Sequence, residues 1–172
     1  MWEDVTRKSP ENARAFYNLG LARVRKGEPE RAMKEFQMTL KIDPHHAKAH
    51  NNLGLIYTRQ GRVEDAIQEF RNALSTRPDD SNIHYNLGIA FGQGRRLDEA
   101  AKAFQAALKL NPKDANAHNN LGVIFGQQGR FEEAIRQFKG ALEIDPGHVN
   151  AQNNLRNAYG RTGKATMESQ EK

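Results

Sequence analysis

Residues 47–80 read AKAHNNLGLIYTRQGRVEDAIQEFRNALSTRPDD, and this stretch decides the fold. Its Leu-Gly pair, one of its alanines, its phenylalanine and its proline each recur along the chain at a step of 34 residues. The four series are Leu19-Gly20, Leu53-Gly54, Leu87-Gly88 and Leu121-Gly122; Ala32, Ala66, Ala100 and Ala134; Phe36, Phe70, Phe104 and Phe138; and Pro44, Pro78, Pro112 and Pro146. Four independent series do not stay in phase by chance, so the chain is built from repeats.

The apolar residues within each repeat have helical spacing. Leu53, Ile56 and Tyr57 fall on one face of a first helix, whereas Ile67 and Phe70 fall on one face of a second helix. A turn that contains a glycine separates the two helices, and the proline ends the second one. The sequence therefore predicts a series of antiparallel helix pairs.

The third repeat departs from this pattern at its turn. Gly94 comes one position early, and Arg95 stands where the other repeats have glycine. Because glycine adopts the left-handed conformation that ends a helix, we expect the first helix of this repeat to end sooner. We expect its turn to be one residue longer than the others.

Composition excludes several classes of protein. The chain has 172 residues, of which 37% are hydrophobic and 27% charged, a polar balance that suits thin helical layers. It contains no cysteine, which excludes disulfides and cysteine-bound zinc. No run of about 18 apolar residues occurs, so no segment is predicted to insert in a membrane. The compartment stays unknown, because the composition suits the cytoplasm and, for a region attached to a membrane protein, the periplasm.

The 34-residue period, with Leu-Gly in the first helix and Ala, Phe and Pro in the second, resembles the tetratricopeptide repeat (TPR) family. The resemblance implies an all-α fold, a right-handed superhelical α-solenoid of antiparallel helix pairs. The predicted divisions are an N-terminal remnant at 1–12, four repeats at 13–46, 47–80, 81–114 and 115–148, a capping helix at 149–163 and a tail at 164–172.

The N-terminal residues carry a further resemblance. Pro10 lies 34 residues before Pro44 and Trp2 lies 34 before Phe36, so residues 2–10 are expected to be the end of an earlier second helix. The stretch from Trp2 to Arg14 is similar to the junction before the repeats of bacterial membrane glycosyltransferase-like proteins. That similarity implies that the chain belongs to a larger protein.

The TPR resemblance also implies a ligand surface, because positions five, six and nine of each first helix face a concave groove in that family. Position six holds Asn18, Asn52, Asn86, Asn120 and Asn154. Position five holds Tyr17, Asn51, Tyr85 and Asn119, and position nine holds Leu21, Leu55 and Ile89. The asparagine series is similar to the one with which the repeats of O-GlcNAc transferase hold extended protein substrates.

Two interpretations of the asparagines stay open. An amide offers a donor and an acceptor, the complement of a peptide bond, so the series suits the backbone of an extended peptide. Alternatively, each asparagine caps a helix or bridges neighbouring first helices and binds only water.

Basic residues of the groove positions are concentrated in the first two repeats. They are Arg14, Arg25, Lys48 and Arg59. An acidic peptide segment is therefore expected to prefer the N-terminal half, although long basic side chains also serve simply to solvate a helix. Nucleic acid is not predicted as a partner, because acidic residues on the second helices dilute the net charge of +5 and few aromatic residues accompany the basic ones.

No catalytic, cofactor or metal site is predicted. His50, His84 and His118 recur at the repeat step, at a position where the family packs its two helices together. Equivalent residues of neighbouring repeats are about 10 Å apart, too far to share one metal ion. The acidic pairs at 64–65, 98–99 and 132–133 begin second helices, where negative charge complements the helix dipole.

The sequence thus predicts a scaffold, not an enzyme, that binds an extended peptide in a concave groove. One alternative is a spacer that assembles end to end or as a dimer through the open ends of the solenoid. The other alternative is the substrate-recruiting region of a larger membrane-bound glycosyltransferase.

Overall fold

The computed structural model describes residues 10–162, which form nine α-helices and no strand. The helices are α1 Pro10–Arg25, α2 Pro29–Ile42, α3 Ala47–Arg59, α4 Val63–Thr76, α5 Ser81–Gln93, α6 Leu97–Leu110, α7 Ala115–Gln127, α8 Phe131–Ile144 and α9 Val149–Thr162. The odd-numbered helices are the predicted first helices, and the even-numbered ones are the predicted second helices. The predicted tail at 164–172 and all but the last residue of the segment at 2–10 lie outside the described range.

The chain divides into two compact units, Met1–Ala90 and Phe91–Lys172. In the first unit α2 packs on both α1 and α3, and α3 packs on α4. In the second unit α7 packs on both α6 and α8, and α9 packs on α8 and more lightly on α7. The prediction of an all-α solenoid of helix pairs is therefore confirmed. The repeat boundaries stay predictions, and α1 begins at Pro10, three residues before the predicted start of the first repeat.

The core of both units consists of the phenylalanine and alanine series. Phe36 and Phe70 have no exposed surface, and Phe104 and Phe138 are 2% and 3% exposed. Where the structure gives the contact, the phenylalanine ring lies against the glycine of the Leu-Gly pair in the first helix of the same repeat. The missing glycine side chain therefore sets the distance between the helices of a pair, and this close packing holds each first helix in place.

The turn of the third repeat differs from its prediction. Helix α5 has 13 residues and ends at Gln93, in the same register as α3 and α7, so the expected early end is wrong. Arg95 itself takes the left-handed conformation, with φ of 57°, which Gly61 adopts at 70°. The backbone N–H of Arg96 donates to the Phe91 carbonyl at 2.9 Å, a bond that the other turns also make. This hydrogen bond fixes the turn, so the residue at position 95 must accept the conformation whatever its identity.

Replacing Arg95 with glycine is expected to stabilise the protein by about 0.5–1 kcal/mol, because glycine adopts positive φ without steric cost. A rise in the thermal midpoint, followed by circular dichroism at 222 nm, would measure the gain. Gly61→Arg is the matched control in an equivalent turn and is expected to lower the midpoint. Equal midpoints for Arg95→Gly and the parent chain would contradict the argument.

An arginine side chain connects the two helices at each turn in repeats two to four. The Arg62 guanidinium lies 4.1 Å from the centre of the Tyr57 ring and donates from Nε to Asp65 at 2.7 Å. The same contacts recur around Arg96 and Arg130. The acidic residues at the start of the second helices thus bind a defined arginine in addition to complementing the helix dipole.

Candidate functional site

The asparagines at position six bridge consecutive first helices in the first unit. Asn86 of α5 donates from Nδ2 to Oδ1 of Asn51 in α3 at 3.0 Å. Asn52 of α3 donates from Nδ2 to the hydroxyl of Tyr17 in α1 at 3.3 Å. In both contacts the position-six amide reaches the position-five side chain of the preceding repeat. We call each such hydrogen-bonded pair a rung.

The second unit repeats this arrangement. Asn154 of α9 donates from Nδ2 to Oδ1 of Asn119 in α7 at 3.0 Å, the same length as the rung between Asn86 and Asn51. Asn119 is only 6% exposed, and its own Nδ2 donates to Oδ1 of Asn120 at 3.3 Å. The asparagines therefore do bridge neighbouring first helices, and each bridge uses one N–H of the asparagine at position six. Each donor keeps a second N–H and an oxygen that the rung bond does not use.

Other predicted groove residues differ in exposure. Tyr17 is half-buried because its ring lies against Phe36, at 5.8 Å between centroids, and His46, at 4.7 Å. Asn18, the next residue of α1, is exposed. The remaining position-five, -six and -nine residues are half-buried: Asn51, Tyr85, Asn120, Leu21, Leu55 and Ile89. Such partial exposure leaves them accessible to a ligand.

The four predicted basic residues are exposed, and none forms an ion pair with another residue in the range 10–162. They are Arg14, Arg25, Lys48 and Arg59. Lys48 lines a polar cavity of about 310 Å³ together with Asn51, Arg77 and Asn82. Arg77 was missed by the sequence reasoning, because it lies in the loop between α4 and α5. The sequence does mark Arg77 as unusual, because the other repeats have acidic or amide residues at the same position: Asp43, Asn111 and Asp145.

A second cavity, of about 420 Å³, lies in the second unit between α7, the start of α8 and α9. Phe131, Phe138 and Ala158 form part of its apolar surface, and Arg161 lies at its rim. The sequence reasoning assigned Phe138 to the core and gave no role to Phe131 or Arg161. We call this space the α7–α9 cavity.

The repeated histidines lie where the two helices of a repeat meet the preceding loop. His50 is 8% exposed, and its ring nitrogens lie 2.6 Å from Oε2 of Glu69 and 2.9 Å from the Pro44 carbonyl. Burial lowers the pKa of His50, but the hydrogen bonds to Glu69 and Pro44 and the negative charges of Glu69 and Asp43 outweigh it, so the pKa is raised. His118 makes the same two contacts with Gln137 and Pro112. These contacts agree with the packing role predicted from the sequence.

Neither a metal centre nor a membrane span is found in the described range. Between Pro10 and Thr162, no three histidine or acidic side chains converge as metal ligands would. No helix in this part of the chain is both long enough and apolar enough to cross a bilayer.

Comparison with known families finds the tetratricopeptide repeat over residues 1–149. A model described as tetratricopeptide repeat matches residues 1–47 and 85–149, and a second model of that description matches 35–68. A model described as TPR repeat matches residues 54–94. No curated protein matches the chain.

Solved structures similar to this chain include MamA, with 25% identity and a TM-score of 0.85 over 91% of this chain and 86% of that one. YrrB, described as a TPR protein with an unusual peptide-binding site, has 25% identity and a TM-score of 0.81 over 95% and 84%. PilF of Pseudomonas aeruginosa has 23% identity and a TM-score of 0.79 over 90% and 70%, which shows likeness of fold alone.

Proposed function

This chain belongs to the tetratricopeptide repeat family, and we propose that it is a protein-interaction scaffold that holds an extended peptide along its first helices. The likeness to YrrB, which has a peptide-binding site, supports this assignment. The rungs are the observation that carries it.

Each rung presents the hydrogen-bonding groups of a peptide bond. In the rung between Asn86 and Asn51, the bond uses one N–H of Asn86 and the oxygen of Asn51. An N–H of Asn51 and the oxygen of Asn86 are left to pair with a peptide carbonyl and a peptide N–H. Because the rung orients both amides before a ligand arrives, less side-chain entropy is lost on binding. The rung between Asn154 and Asn119 offers the oxygen of Asn154 in the same way.

Charge favours an acidic segment at the first unit. Lys48 and Arg59 of α3 are exposed and have no carboxylate partner within the described range. Arg77 adds a second cation to the polar cavity beside Lys48, where Asp80 offsets part of the charge from 3.4 Å. Each exposed ion pair with a ligand contributes at most about 1 kcal/mol, so the charges select among peptides more than they hold them. Added salt should weaken this preference.

The double substitution Asn51→Ala with Asn86→Ala is expected to weaken peptide binding about tenfold or more, because each lost hydrogen bond contributes roughly 1 kcal/mol. The probe is the tightest peptide selected from a displayed random library, measured by fluorescence anisotropy at two salt concentrations. The thermal midpoint of the variant reports how much the rung itself stabilises the fold.

Gln68→Ala with Asn72→Ala is the matched control. These two side chains of α4 form an exposed amide pair of 2.9 Å, but they lie on a second helix. The control should keep the full affinity of the parent chain. If both double variants bind the selected peptide as the parent does, the first helices do not form the peptide-binding surface.

Self-association is the second candidate function, favoured by the exposure of Leu19 on α1. Leu19 is 42% exposed, whereas Leu53 and Leu121, at the same position in later repeats, are 1% and 2% exposed. Sedimentation equilibrium over a hundredfold range of concentration separates the two functions, because a scaffold for peptides stays at one mass. Recruitment of substrate for a glycosyltransferase stays a prediction.

A further inference from the structure

The α7–α9 cavity combines an apolar floor with a polar rim. Its apolar lining residues are buried or half-buried and are taken as the floor: Val123, Phe131, Phe138 and Ala158. Its polar lining residues are half-buried or exposed and are taken as the rim: Asn154, Gln127, Asn157 and Arg161. A concave apolar surface with a few polar groups around it is the usual form of a ligand-binding pocket.

The cavity is open because two glycines border it. A Cβ atom at Gly126 or at Gly129 would meet no atom within 4 Å, so the space beside both residues is empty. At the equivalent positions of the first unit, Val24 replaces Gly126 and Pro29 replaces Phe131, and the cavity there is of similar size, about 370 Å³. The second unit therefore differs mainly in its larger aromatic surface.

Charge distinguishes the two cavities further. Arg59 occupies in the first unit the position that Arg161 occupies in the second, but Glu30 lines the same cavity as Arg59. The lining of the α7–α9 cavity contains no carboxylate, and Arg161 forms no ion pair with another residue of the range 10–162. An exposed cation at the edge of an apolar floor complements a ligand that has an apolar group next to an anion.

We propose that the α7–α9 cavity is a specificity subsite for a peptide residue of leucine or phenylalanine size that is adjacent to an aspartate or glutamate. The apolar side chain enters between Phe131 and Ala158, and the carboxylate pairs with Arg161. Asn154 belongs both to the rung with Asn119 and to the cavity rim, so a peptide bond held by that rung lies beside the opening. Because the backbone of the bound peptide continues past the rung in both directions, the peptide residue that enters the cavity is not a terminal residue. This inference rests on the proposed function and adds the class of peptide that the second unit selects.

The test uses the full chain and labelled peptides of the form acetyl-Gly-Ser-Gly-Phe-Asp-Gly-Ser-Gly-amide, with Phe→Ala and Asp→Asn versions. We expect the parent chain to bind the Phe-Asp peptide at least tenfold more tightly than either version. Gly126→Val copies the residue of the first unit and narrows the cavity, because a Cβ atom at this position meets nothing within 4 Å. This variant should weaken the preference for Phe over Ala, and its thermal midpoint should equal or slightly exceed that of the parent.

Arg161→Gln copies the residue at position 127 and tests the charge. It should abolish the preference for Asp over Asn, together with its salt dependence, and retain the preference for Phe. Arg156→Gln, on the same helix and also exposed, is the matched control and should bind like the parent.

The outcomes separate the two proposals. If the parent binds a library-selected peptide and Gly126→Val and Arg161→Gln leave every preference unchanged, the subsite is wrong and the scaffold function stands. If the parent binds no peptide from the library, both proposals fail. Binding that requires a free peptide carboxyl terminus, lost on amidation, would overturn the choice of an internal acidic residue. A large gain in thermal midpoint for Gly126→Val without any change in binding would show that the cavity is a packing defect.

Discussion

Replacing Phe104 with alanine is expected to lower the free energy of unfolding by about 3–5 kcal/mol, the largest change that we expect from any single substitution. The ring is 2% exposed, and it lies on the face of α6 that also buries Ala100 and Ala107, with exposures of 0% and 1%. Alanine has no side-chain rotamers, so these neighbours do not turn into the space that the ring leaves. The cavity therefore stays largely open, and the lost transfer energy adds to the cost of the cavity.

Urea denaturation followed by circular dichroism measures this change, with Leu110→Ala as the control. Leu110 ends the same helix but is 39% exposed, so its removal should cost less than a third as much. In a repeat protein each helix pair contacts mainly its neighbours, and a large local defect is expected to broaden or split the transition. Equal losses for the two variants would show that α6 does not bury Phe104 in the way described.

The sequence predicted the helix pairs because their determinants are local and repeated. Leu, Ala and Phe at fixed steps define the apolar face of each helix, and a proline follows the end of each second helix. The turn after α5 was not predicted correctly. Whether Arg95 accepts φ of 57° depends on the hydrogen bond from Arg96 to Phe91 and on the packing of both helices, which outweigh the preference of one residue.

The candidate site was predicted only in part. The repeat step placed Asn52, Asn86 and Asn154 at one position of the first helices, and the structure brings each to the preceding repeat. The identity of the partner could not be read from the sequence, because Tyr17 accepts in one rung and Asn51 or Asn119 in the others. The pairing of amide donors and acceptors depends on the distance and rotation between first helices that are 34 residues apart in sequence. Both quantities follow from the packing of the core.

The α7–α9 cavity shows a different limit of sequence reasoning. A cavity arises from side chains that are missing, and glycines such as Gly126 and Gly129 also occur in repeats for reasons of backbone geometry alone. Gly129 ends a helix with φ of 75°, so its lack of a side chain looks like a requirement of the turn. Gly126 was informative only by comparison with Val24 in the first repeat. Its meaning emerges once Phe131, Ala158 and Arg161 are known to surround it.

Gly122→Ala is expected to lower the free energy of unfolding by about 1–3 kcal/mol, although alanine favours a helix over glycine by about 1 kcal/mol. A Cβ atom at position 122 would lie 2.5 Å from Cε1 and 2.7 Å from Cδ1 of Phe138, closer than carbon atoms approach. Phe138 is only 3% exposed, so its ring has little room to withdraw. Either α7 and α8 must move apart or the ring must leave its preferred rotamer, and both weaken the packing of the pair.

Gly126→Ala is the control on the same helix, one turn later, where a Cβ atom would meet nothing within 4 Å. Without the clash, this variant should gain part of the helix preference, since Gly126 lies in the last turn, and raise stability by up to about 1 kcal/mol. The two alanine substitutions are thus expected to shift the urea midpoint in opposite directions. Phe138→Leu in the Gly122→Ala background should cost less than the two single changes added together, because the smaller side chain relieves the contact. Additive costs, or a stabilising Gly122→Ala, would show that the glycine is not what lets the two helices approach.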